Sequence, residues 1–295
     1  MQGSQATAAT GAVRSREASL LLTLLIVDSL HFVFARLLLP HISPAISATY
    51  VLAVATLEVG LYGLLRRSID IRVARTHLWF FVTIGFLIAG STALNYAAVA
   101  YIDAGTAAML GKMTTLFGLA LGLFWLHERL TPTQIGGAAL AVAGVFVITF
   151  QPVDALRAGA LMVVTSTFMY AVHMAIVKRS GGEIDFYNFF LWRLFFTTLF
   201  LLAISISRSA LELPSADIWP LLIVVGSVDV VISRSLYYIA LRRLPMSILS
   251  VVLTLSPVAA ITWAYLLFGT FPTGQQILGG AAVLAGVLIV TLSRR

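Results

Sequence analysis

The sequence predicts an all-α integral membrane protein with ten transmembrane helices, arranged as two inverted-topology repeats of five. Composition, an internal repeat and the distribution of positive charge predict it. Of the 295 residues, 60% are hydrophobic and only 11% are charged, and the mean hydropathy is +0.98. Apolar segments of about 20 residues are needed to cross about 30 Å of hydrocarbon. Only helices satisfy the backbone of such segments in lipid, which gives the all-α class.

The apolar segments can be marked along the chain with short connections between them. They lie at 19–39, 43–65, 76–100, 104–126, 133–151, 157–177, 186–206, 217–240, 246–268 and 274–292. Residues 1–18 are small and polar, which is typical of a disordered tail. Arg14 and Arg16 before the first apolar run resemble a signal peptide, but that run is too long and no A-x-A-like cleavage site follows. The sequence therefore predicts a retained first helix.

The second half of the chain repeats the first at a constant offset of 142 residues. The matching pairs include Thr23/Thr165, His31/His173, Tyr96/Tyr238, Thr131/Thr273, Gly137/Gly279 and Gly144/Gly286. We therefore predict one repeat over 19–151 and another over 152–292. Because five helices is an odd number, the second repeat must enter the membrane from the opposite face. Many secondary transporters build two alternating states from such inverted repeats.

Positive charge gives the predicted orientation. With the N-terminus inside, thirteen Lys and Arg residues fall on the cytoplasmic side and three, Arg36, Arg157 and Arg208, on the other. This predicts a multi-pass inner-membrane protein with both termini in the cytoplasm. The net charge of +7 follows this bias rather than a basic patch, so no nucleic-acid partner is predicted. The absence of cysteine excludes disulfides and thiolate metal sites.

Two stretches resemble a known family. WLHERLTPTQIGGAALAVAGVFVI (125–148) resembles the ending of the EamA domain, and LYYIALRRLPMSILSVVLTLSPVAAITWAYLLFG (236–269) resembles the segment before that ending. Two EamA domains in tandem form the ten-helix branch of the drug/metabolite transporter superfamily. The resemblance implies export of amino acids and other small metabolites, usually driven by an ion gradient. Exchangers of nucleotide-linked or phosphorylated sugars are more distant relatives.

The two halves differ at three positions where the resemblance leads one to look for function. Glu128 ends the fourth segment, and its counterpart is Thr270. Pro257 lies within the ninth segment, and its counterpart is Thr115. Lys112 has Thr254 as its counterpart. The halves are therefore not functionally equivalent.

Ionisable residues inside the apolar segments are the candidate functional residues, because each costs at least about 2.5–3.5 kcal/mol at the centre of a membrane helix. Three acids face three bases, so the deep charges cancel when the histidines are neutral. That balance predicts internal pairing around a polar interior. The candidates are Asp28, His31, Glu58, Lys112, His173, Arg193, Asp229 and Arg234.

Asp28 and His31 are three residues apart and therefore share one face of the first helix. A carboxylate beside an imidazole forms a proton-sensitive pair. The alternative is a histidine satisfied by its neighbour, without a role in transport. Tyr170 and His173 occupy the repeat-related positions without an acid. We therefore expect any proton site in the first half.

Lys112 needs a carboxylate partner, and Glu58 or Asp28 could provide it. Lys112 either anchors a substrate carboxylate or phosphate as a point charge or forms a structural ion pair. On the eighth helix, Arg234 precedes Tyr237 and Tyr238 by three and four residues, so a cation and two phenols share a face. Such surroundings suit an amphipathic solute, although aromatic residues also serve as packing groups.

The remaining predictions concern pairing and helix contacts. Asp229, five residues before Arg234, is predicted to lie on a different face and to pair with Arg193. Pro257 is predicted to kink the ninth helix, as a hinge. Glu128 is interpreted as a gate or a helix-end salt bridge with Arg129. Small residues in the fifth and tenth helices predict contact between the halves or a dimer seam: Gly136, Gly137, Gly144, Gly279, Gly280 and Gly286.

No sequence motif supports catalysis. His127-Glu128 lacks the second histidine of a zinc protease motif, since position 131 is threonine. Walker A and G-x-S-x-G motifs are also absent, and no metal or cofactor is predicted. We therefore expect a secondary transporter, not an enzyme, that exports a small polar or amphipathic metabolite by alternating access, with a proton as a candidate coupling ion. A sugar-phosphate exchanger, a channel and a membrane-embedded enzyme are the alternatives.

Overall fold

The computed structural model describes residues 19–125, 131–149, 154–180, 184–208, 211–243 and 252–293. Every regular element in these ranges is helical. The helices are labelled in chain order, and a short helix, Ile71–Thr76, lies outside the numbering. They are α1 (Ser19–Leu38), α2 (Pro44–Arg66), α3 (Leu78–Ala98), α4 (Ala104–Gly111 and Met113–Trp125), α5 (Pro132–Thr149), α6 (Asp154–Ser180), α7 (Phe186–Ser207), α8 (Trp219–Val225, Gly226–Ile232 and Ser233–Arg243), α9 (Ser256–Phe268) and α10 (Gly274–Leu292).

Most of these helices are membrane spans by length and composition. Within the described ranges, α1, α2, α3, α6, α7, α8 and α10 are each long and apolar enough to cross a bilayer. Their outward side chains are also apolar, as at Trp79 (81% exposed) and Leu278 (70% exposed), which suits a lipid environment. The prediction of an all-helical membrane protein is confirmed. Ten crossings remain a prediction, because α4 is divided and α5 and α9 are shorter.

Repeat-related helices begin with the same hydrogen bonds. At the start of α10, the Thr273 hydroxyl accepts from the backbone N–H of Gln276, and the Gln276 side chain accepts from the backbone N–H of Thr273. Thr131 and Gln134 form the same reciprocal pair before α5. Such a capping box satisfies backbone donors that a helix start leaves free. The duplication seen in the sequence is thus present in the local structure.

Two repeat-related helices, α2 and α7, pack against each other in opposite directions. The hydroxyls of Thr56 and Thr198, which differ by the repeat offset, lie 2.8 Å apart. Thr49, earlier in α2, contacts Ser205, later in α7, with 2.7 Å between their hydroxyls. The equivalent threonines thus meet near a point of local two-fold symmetry. Hydrogen bonds of this kind join helices in lipid, where the hydrophobic effect gives no preference for association.

Helices α5 and α10 cross through glycines, again in opposite directions. Gly137 faces Gly286, and Gly144 faces Gly279, so the first glycine of each helix meets the second of the other. A Cβ atom on Gly279 would lie 2.7 Å from the carbonyl oxygen of Gly144. Only glycine permits this approach of the two backbones. The small-residue face therefore joins the two halves of one chain, the first of the two predicted roles.

We expect Gly137→Ala to lower the unfolding temperature, because its Cβ would lie 2.8 Å from the Gly286 carbonyl oxygen. Overpacking of this kind costs about 1–3 kcal/mol. Gly136→Ala is the matched control, since a Cβ there meets nothing within 4 Å. Alanine at that helical site should be neutral or stabilising by about 0.5–1 kcal/mol. Tryptophan fluorescence on heating measures both variants, and equal unfolding temperatures would contradict the close crossing.

Helix α1 is positioned to bring polar side chains into the interior. Its second half, His31–Leu38, contacts α2, α3, α4 and α9. Val33, Ala35 and Leu38 are buried there, which fixes the rotation of the helix. Asp28 and His31, which precede these buried residues, therefore face the neighbouring helices α4 and α8 rather than lipid.

Candidate functional site

The first polar contact of the interior joins α1 to α8. His31 Nδ1 lies 2.9 Å from Asp229 Oδ2 and 3.2 Å from Oδ1. Asp229 is almost fully buried, with 3% of its side chain exposed, and His31 is 21% exposed. The other ring nitrogen, Nε2, lies 3.5 Å from the amide nitrogen of Asn95 on α3. Both imidazole nitrogens therefore have polar neighbours, one of them a carboxylate.

The second group of charges lies around Asp28. Its carboxylate is 3.7 Å from Lys112 Nζ on α4 and 3.9 Å from Arg234 on α8. Ser256, at the start of α9, faces the same carboxylate. Asp28 and Lys112 are largely buried, at 16% and 19% exposed. We call Asp28, His31, Asn95, Lys112, Asp229 and Arg234 together the α1 cluster. Its two carboxylates balance two cations when His31 is neutral.

A stretch of π-helix explains how α8 supplies two members of this cluster. Residues Gly226–Ile232 are wound as a π-helix, in which i→i+5 contacts replace i→i+4. In an α-helix, five residues turn the side-chain direction by about 140°. The wider turn instead brings Asp229 and Arg234 to the same side, towards His31 and Asp28. The prediction that they occupy different faces is wrong because α8 is not a regular α-helix.

Two predicted pairings differ from those in the structure. Asp28 and His31 do lie on one face of α1, but each takes its partner from elsewhere. The carboxylate bound to His31 is that of Asp229. Among the described residues, the structure shows no ion pair between Asp229 and Arg193. Of the two carboxylates predicted for Lys112, the structure places Asp28 beside it.

Lys112 lies where α4 is interrupted. The helix Ala104–Gly111 ends with Lys112 as its C-cap, and a second helix, Met113–Trp125, follows. The break leaves i→i+3 bonds, from the Lys112 N–H to Met109 and from the Thr115 N–H to the Lys112 carbonyl. Discontinuous helices near the membrane midplane form the binding sites of many transporters. The break therefore places a cation and loosened backbone at one point.

Glu58 lies apart from the α1 cluster. Its Oε1 accepts a hydrogen bond of 2.6 Å from the hydroxyl of Ser227, on the π-helical part of α8. The prediction that Glu58 is a candidate partner of Lys112 is thus not realised in this conformation. Gly226 next to it packs directly against Val51 and Val54 of α2. The contact joins the halves at the side of α8 that does not face α1.

His173, on α6, and Arg193, on α7, are two further candidate residues in the interior. His173 is fully buried, and its ring lies 5.0 Å from that of Tyr170, one turn earlier on α6. Arg193 is 4% exposed, and its Nε lacks a hydrogen-bond partner. Its guanidinium carbon lies 5.2 Å from the centre of the Phe190 ring, a cation–π contact.

The other predicted residues are distributed as follows. Tyr237 packs against Leu24 and Ala240, and the side chain of Tyr238 lies outside the described residues, as does Glu128. Pro257 lies in the first turn of Ser256–Phe268, after an interruption at Leu255, rather than inside a continuous helix. Residues in the first turn of a helix have no intrahelical acceptor for their N–H, so proline costs no hydrogen bond at this position.

A multi-helix membrane chain with a charged interior is the arrangement of transporters, and comparison with known proteins decides the family. The EamA-like transporter family matches residues 16–150 and again 157–292. The chain belongs to the EamA-like transporter family. The resemblance noted in the sequence is thereby confirmed, and the family points to transport rather than catalysis.

Named relatives of this EamA-like transporter include two proteins described as exporters. A probable terminal-alkyne amino-acid exporter of Streptantibioticus cattleyicolor is 26% identical over 68% of this chain and 69% of its own length. A probable amino-acid metabolite efflux pump of Salmonella typhimurium is 23% identical over 93% of this chain and 94% of its own length. A solved crystal structure, 18% identical, covers 95% of this chain with a TM-score of 0.65, and shows the same fold.

Sequence reasoning missed four polar residues beside the ionisable residues of this EamA-like transporter. Asn95, Ser227 and Ser256 contact charged residues, and Tyr96 is 1% exposed with its ring 6.2 Å from that of His31. These side chains are uncharged at neutral pH, so the cost of placing a charge in lipid does not single them out. Asn95 carried the clearest signal, because an amide in an apolar helix needs hydrogen-bond partners.

Proposed function

We propose that this chain is a proton-coupled secondary transporter that exports an amino acid or a related small metabolite by alternating access. Ten membrane crossings in two inverted repeats, 19–151 and 152–292, form the carrier. Both termini lie in the cytoplasm, and the protein resides in the inner membrane. The observation that carries the proposal is the α1 cluster: a balanced set of charges, buried among membrane helices and shared between the two halves.

The packing of repeat-related helices supports the inverted arrangement. Helices α2 and α7 run in opposite directions where they touch, as do α5 and α10. Repeats that enter a membrane from opposite faces have equivalent helices of opposite direction. The excess of Lys and Arg on one side supports cytoplasmic termini.

The α1 cluster supports alternating access because it joins the halves through bonds that can exchange. Asp28, His31 and Lys112 come from the first half, whereas Asp229 and Arg234 come from the second. The ion pairs of Asp28 with Lys112 and Arg234, at 3.7 and 3.9 Å, are longer than hydrogen bonds. A substrate with an ammonium or a carboxylate competes for these partners. Binding then loosens one set of contacts between the halves and permits another.

The surroundings of His31 support proton coupling. Neutral His31 donates from Nδ1 to Asp229 and accepts at Nε2 from the Asn95 amide. When protonated, Nε2 becomes a donor, and the amide oxygen of Asn95, which has no hydrogen-bond partner, is available after an amide rotation. Asn95 thus suits both protonation states. Asp229 stabilises the imidazolium, which makes His31 and Asp229 the proposed proton site.

Counterflow in proteoliposomes tests the proposed function. Liposomes preloaded with one unlabelled L-amino acid should take up the same labelled amino acid, and an imposed pH gradient should drive its accumulation. The solute should be recovered chemically unchanged. Flux without saturation or trans-stimulation would indicate a channel, and an altered product would indicate an enzyme. The relatives named for amino acids make the twenty L-amino acids the first compounds to assay.

An exchanger of phosphorylated or nucleotide-linked sugars is the second candidate. Its support is that two cations, Lys112 and Arg234, lie on either side of Asp28. Lys112 acts as a substrate anchor in either case only when Asp28 releases it. Glucose 6-phosphate, included in the same counterflow assay, separates the candidates. Exchange of the sugar phosphate without exchange of any amino acid would favour this second function.

A further inference from the structure

Glu58 is a carboxyl within a membrane span that has no cationic partner among the described residues. Its polar contact is the Ser227 hydroxyl of α8, 2.6 Å away. Asp28 and Asp229, two other acids of the spans, each contact a base. Glu58 lies two turns, about 12 Å along the helix axis, before Arg66 at the end of α2. At such a depth an ionised side chain costs at least about 2.5–3.5 kcal/mol.

The contacts of Ser227 indicate which of the two side chains donates. Ser227 Oγ lies 2.6 Å from Glu58 Oε1 and 2.8 Å from the carbonyl oxygen of Ile223, one turn earlier. A hydroxyl has one hydrogen, so a serine that donates to an ionised Glu58 leaves the Ile223 contact without a hydrogen. A protonated Glu58 satisfies both contacts. Its O–H donates to Ser227 Oγ, and the serine hydroxyl donates to the Ile223 carbonyl.

The surroundings of Glu58 are apolar. Val54, one turn earlier on α2, packs on Gly226 of α8. Leu61, one turn later, is 59% exposed, and Ile223 of α8 is 48% exposed. Because these exposed side chains face lipid when the chain spans a membrane, Glu58 lies at the edge of the α2–α8 contact with lipid nearby. A carboxyl in such surroundings avoids the cost of a desolvated charge by keeping its proton.

Arg193 is the cation within α7, the helix beside α2, and it is directed elsewhere. Helix α7 contacts α2 through Leu191 and Thr198, whereas Phe196 stacks on Phe81 of α3. Arg193 lies three residues before Phe196 and shares its face, towards α3. Other titratable groups on the helices packed against α2 contact residues other than Glu58: Asp28, His31, Tyr96, Tyr187, Asp229 and Arg234.

We propose that Glu58 is protonated in this conformation and donates a hydrogen bond to Ser227. It is then a proton-binding site separate from His31 and Asp229, and a modification site for lipid-soluble carbodiimides. Ser227 belongs to the π-helical stretch that also presents Asp229 to His31. Loss of the Glu58 proton requires Ser227 to turn its hydrogen from Ile223 to the carboxylate. The proton on Glu58 thus stabilises the winding of α8 seen here.

Reaction with dicyclohexylcarbodiimide tests the proposal on the unmodified protein. The O–H of a protonated carboxyl adds across one C=N bond of the reagent to give an O-acylisourea. Transfer of the acyl group to nitrogen then gives a stable N-acylurea, and no atom leaves. The protein in detergent micelles is treated at pH 7, where a solvated glutamic acid is almost fully ionised. Mass spectrometry of its peptides locates the added reagent.

We expect Glu58 to react at least about tenfold faster than Asp28, whose carboxylate faces two cations. That factor corresponds to one unit of difference in acidity. Reaction of Glu58 at pH 5 but not at pH 7 would show an accessible, ionised carboxylate and overturn the proposal. Glu212, which is exposed, is the control for a solvated carboxyl and should stay unmodified at pH 7.

Infrared spectroscopy tests the proton without any need for the reagent to reach Glu58. The C=O stretch of a protonated carboxyl is separated from the bands of a carboxylate. The spectrum of the wild-type protein minus that of Glu58→Gln, at pH 7, should contain the protonated band, and a carboxylate band there would overturn the proposal. Ser227→Ala should move the protonated band to higher frequency, because the O–H loses its acceptor. Ser207→Ala, an exposed serine at the end of α7, is the matched control and should leave the band in place.

One consequence rests on the proposed function and fails separately from it. An N-acylurea on Glu58 is too large for the α2–α8 contact, so the carbodiimide should slow amino-acid counterflow by the wild-type protein. Counterflow by Glu58→Gln should be the same with and without the reagent. If no amino acid exchanges, the infrared band still decides the state of Glu58, and transport alone is wrong. If amino acids exchange and Glu58 is ionised at pH 7, transport stands and the protonated carboxyl is wrong.

Discussion

Asp229→Asn is expected to abolish accumulation driven by a pH gradient while leaving counterflow of the same solute intact. Asparagine keeps the size of the side chain and still accepts a hydrogen bond from His31 Nδ1, now 2.9 Å from the carboxylate. It removes the negative charge that stabilises an imidazolium in a membrane interior, where an unpaired charge costs at least about 2.5–3.5 kcal/mol. His31 should then remain neutral throughout the cycle. The carrier exchanges solute but no longer carries a proton with it.

Proteoliposomes with an inside-acid or inside-alkaline lumen provide the measurement. Gradient-driven uptake by Asp229→Asn should fall to that of empty liposomes, whereas its counterflow rate should stay near that of the wild-type protein. Asp217→Asn is the matched control, because Asp217 is an exposed carboxylate just before the same helix. That variant should retain both activities. Undiminished accumulation by Asp229→Asn would exclude His31 and Asp229 as the proton site.

The sequence predicts the scaffold well because its causes are periodic or compositional. Apolar segments predict helices in lipid, and the offset of 142 residues predicts that Gly137 and Gly144 have counterparts in α10. The structure adds that these glycines meet their counterparts across the two halves. The same offset relates Thr56 to Thr198, a contact at the centre of the α2–α7 crossing that we did not predict. Equivalent positions meet because two similar helices crossing in opposite directions share a local two-fold axis.

The pairing of charges was predicted less well, for a physical reason. Sequence reasoning places side chains by assuming 3.6 residues per turn, and Gly226–Ile232 does not follow that winding. The error moved Asp229 away from α1 and towards Arg193. The break at Lys112 was hidden in the same way, since residues 104–126 form one apolar run. Irregular backbone in a membrane protein tends to occur where it lines a cavity or is buried in protein. The pairing of charges was therefore hardest to predict at the residues of the candidate site.

The largest effect on stability is expected at Asp28. Asp28→Asn leaves Lys112 and Arg234 facing a neutral amide in the membrane interior. Removal of one partner from a buried ion pair costs about 3–5 kcal/mol, because the remaining charge has lost its compensation. Here two cations lose the same carboxylate. We therefore expect Asp28→Asn to lower the free energy of unfolding by about this amount.

Lys112→Met should be much less destabilising, because Asp28 keeps Arg234 as its counter-ion. The double variant Asp28→Asn/Lys112→Met should accordingly be more stable than Asp28→Asn alone, since one of the two cations that faced Asp28 is gone. Unfolding by sodium dodecyl sulfate in mixed micelles, followed by tryptophan fluorescence, gives the three free energies, with the exposed Glu212→Gln as control. Equal losses for Asp28→Asn and Lys112→Met would show that each forms an independent contact. A larger loss of unfolding free energy for Asp28→Asn, partly restored in the double variant, would mean that one carboxylate holds two cations. Asp28 of α1 then joins Lys112 on α4, in the first half, to Arg234 on α8, in the second.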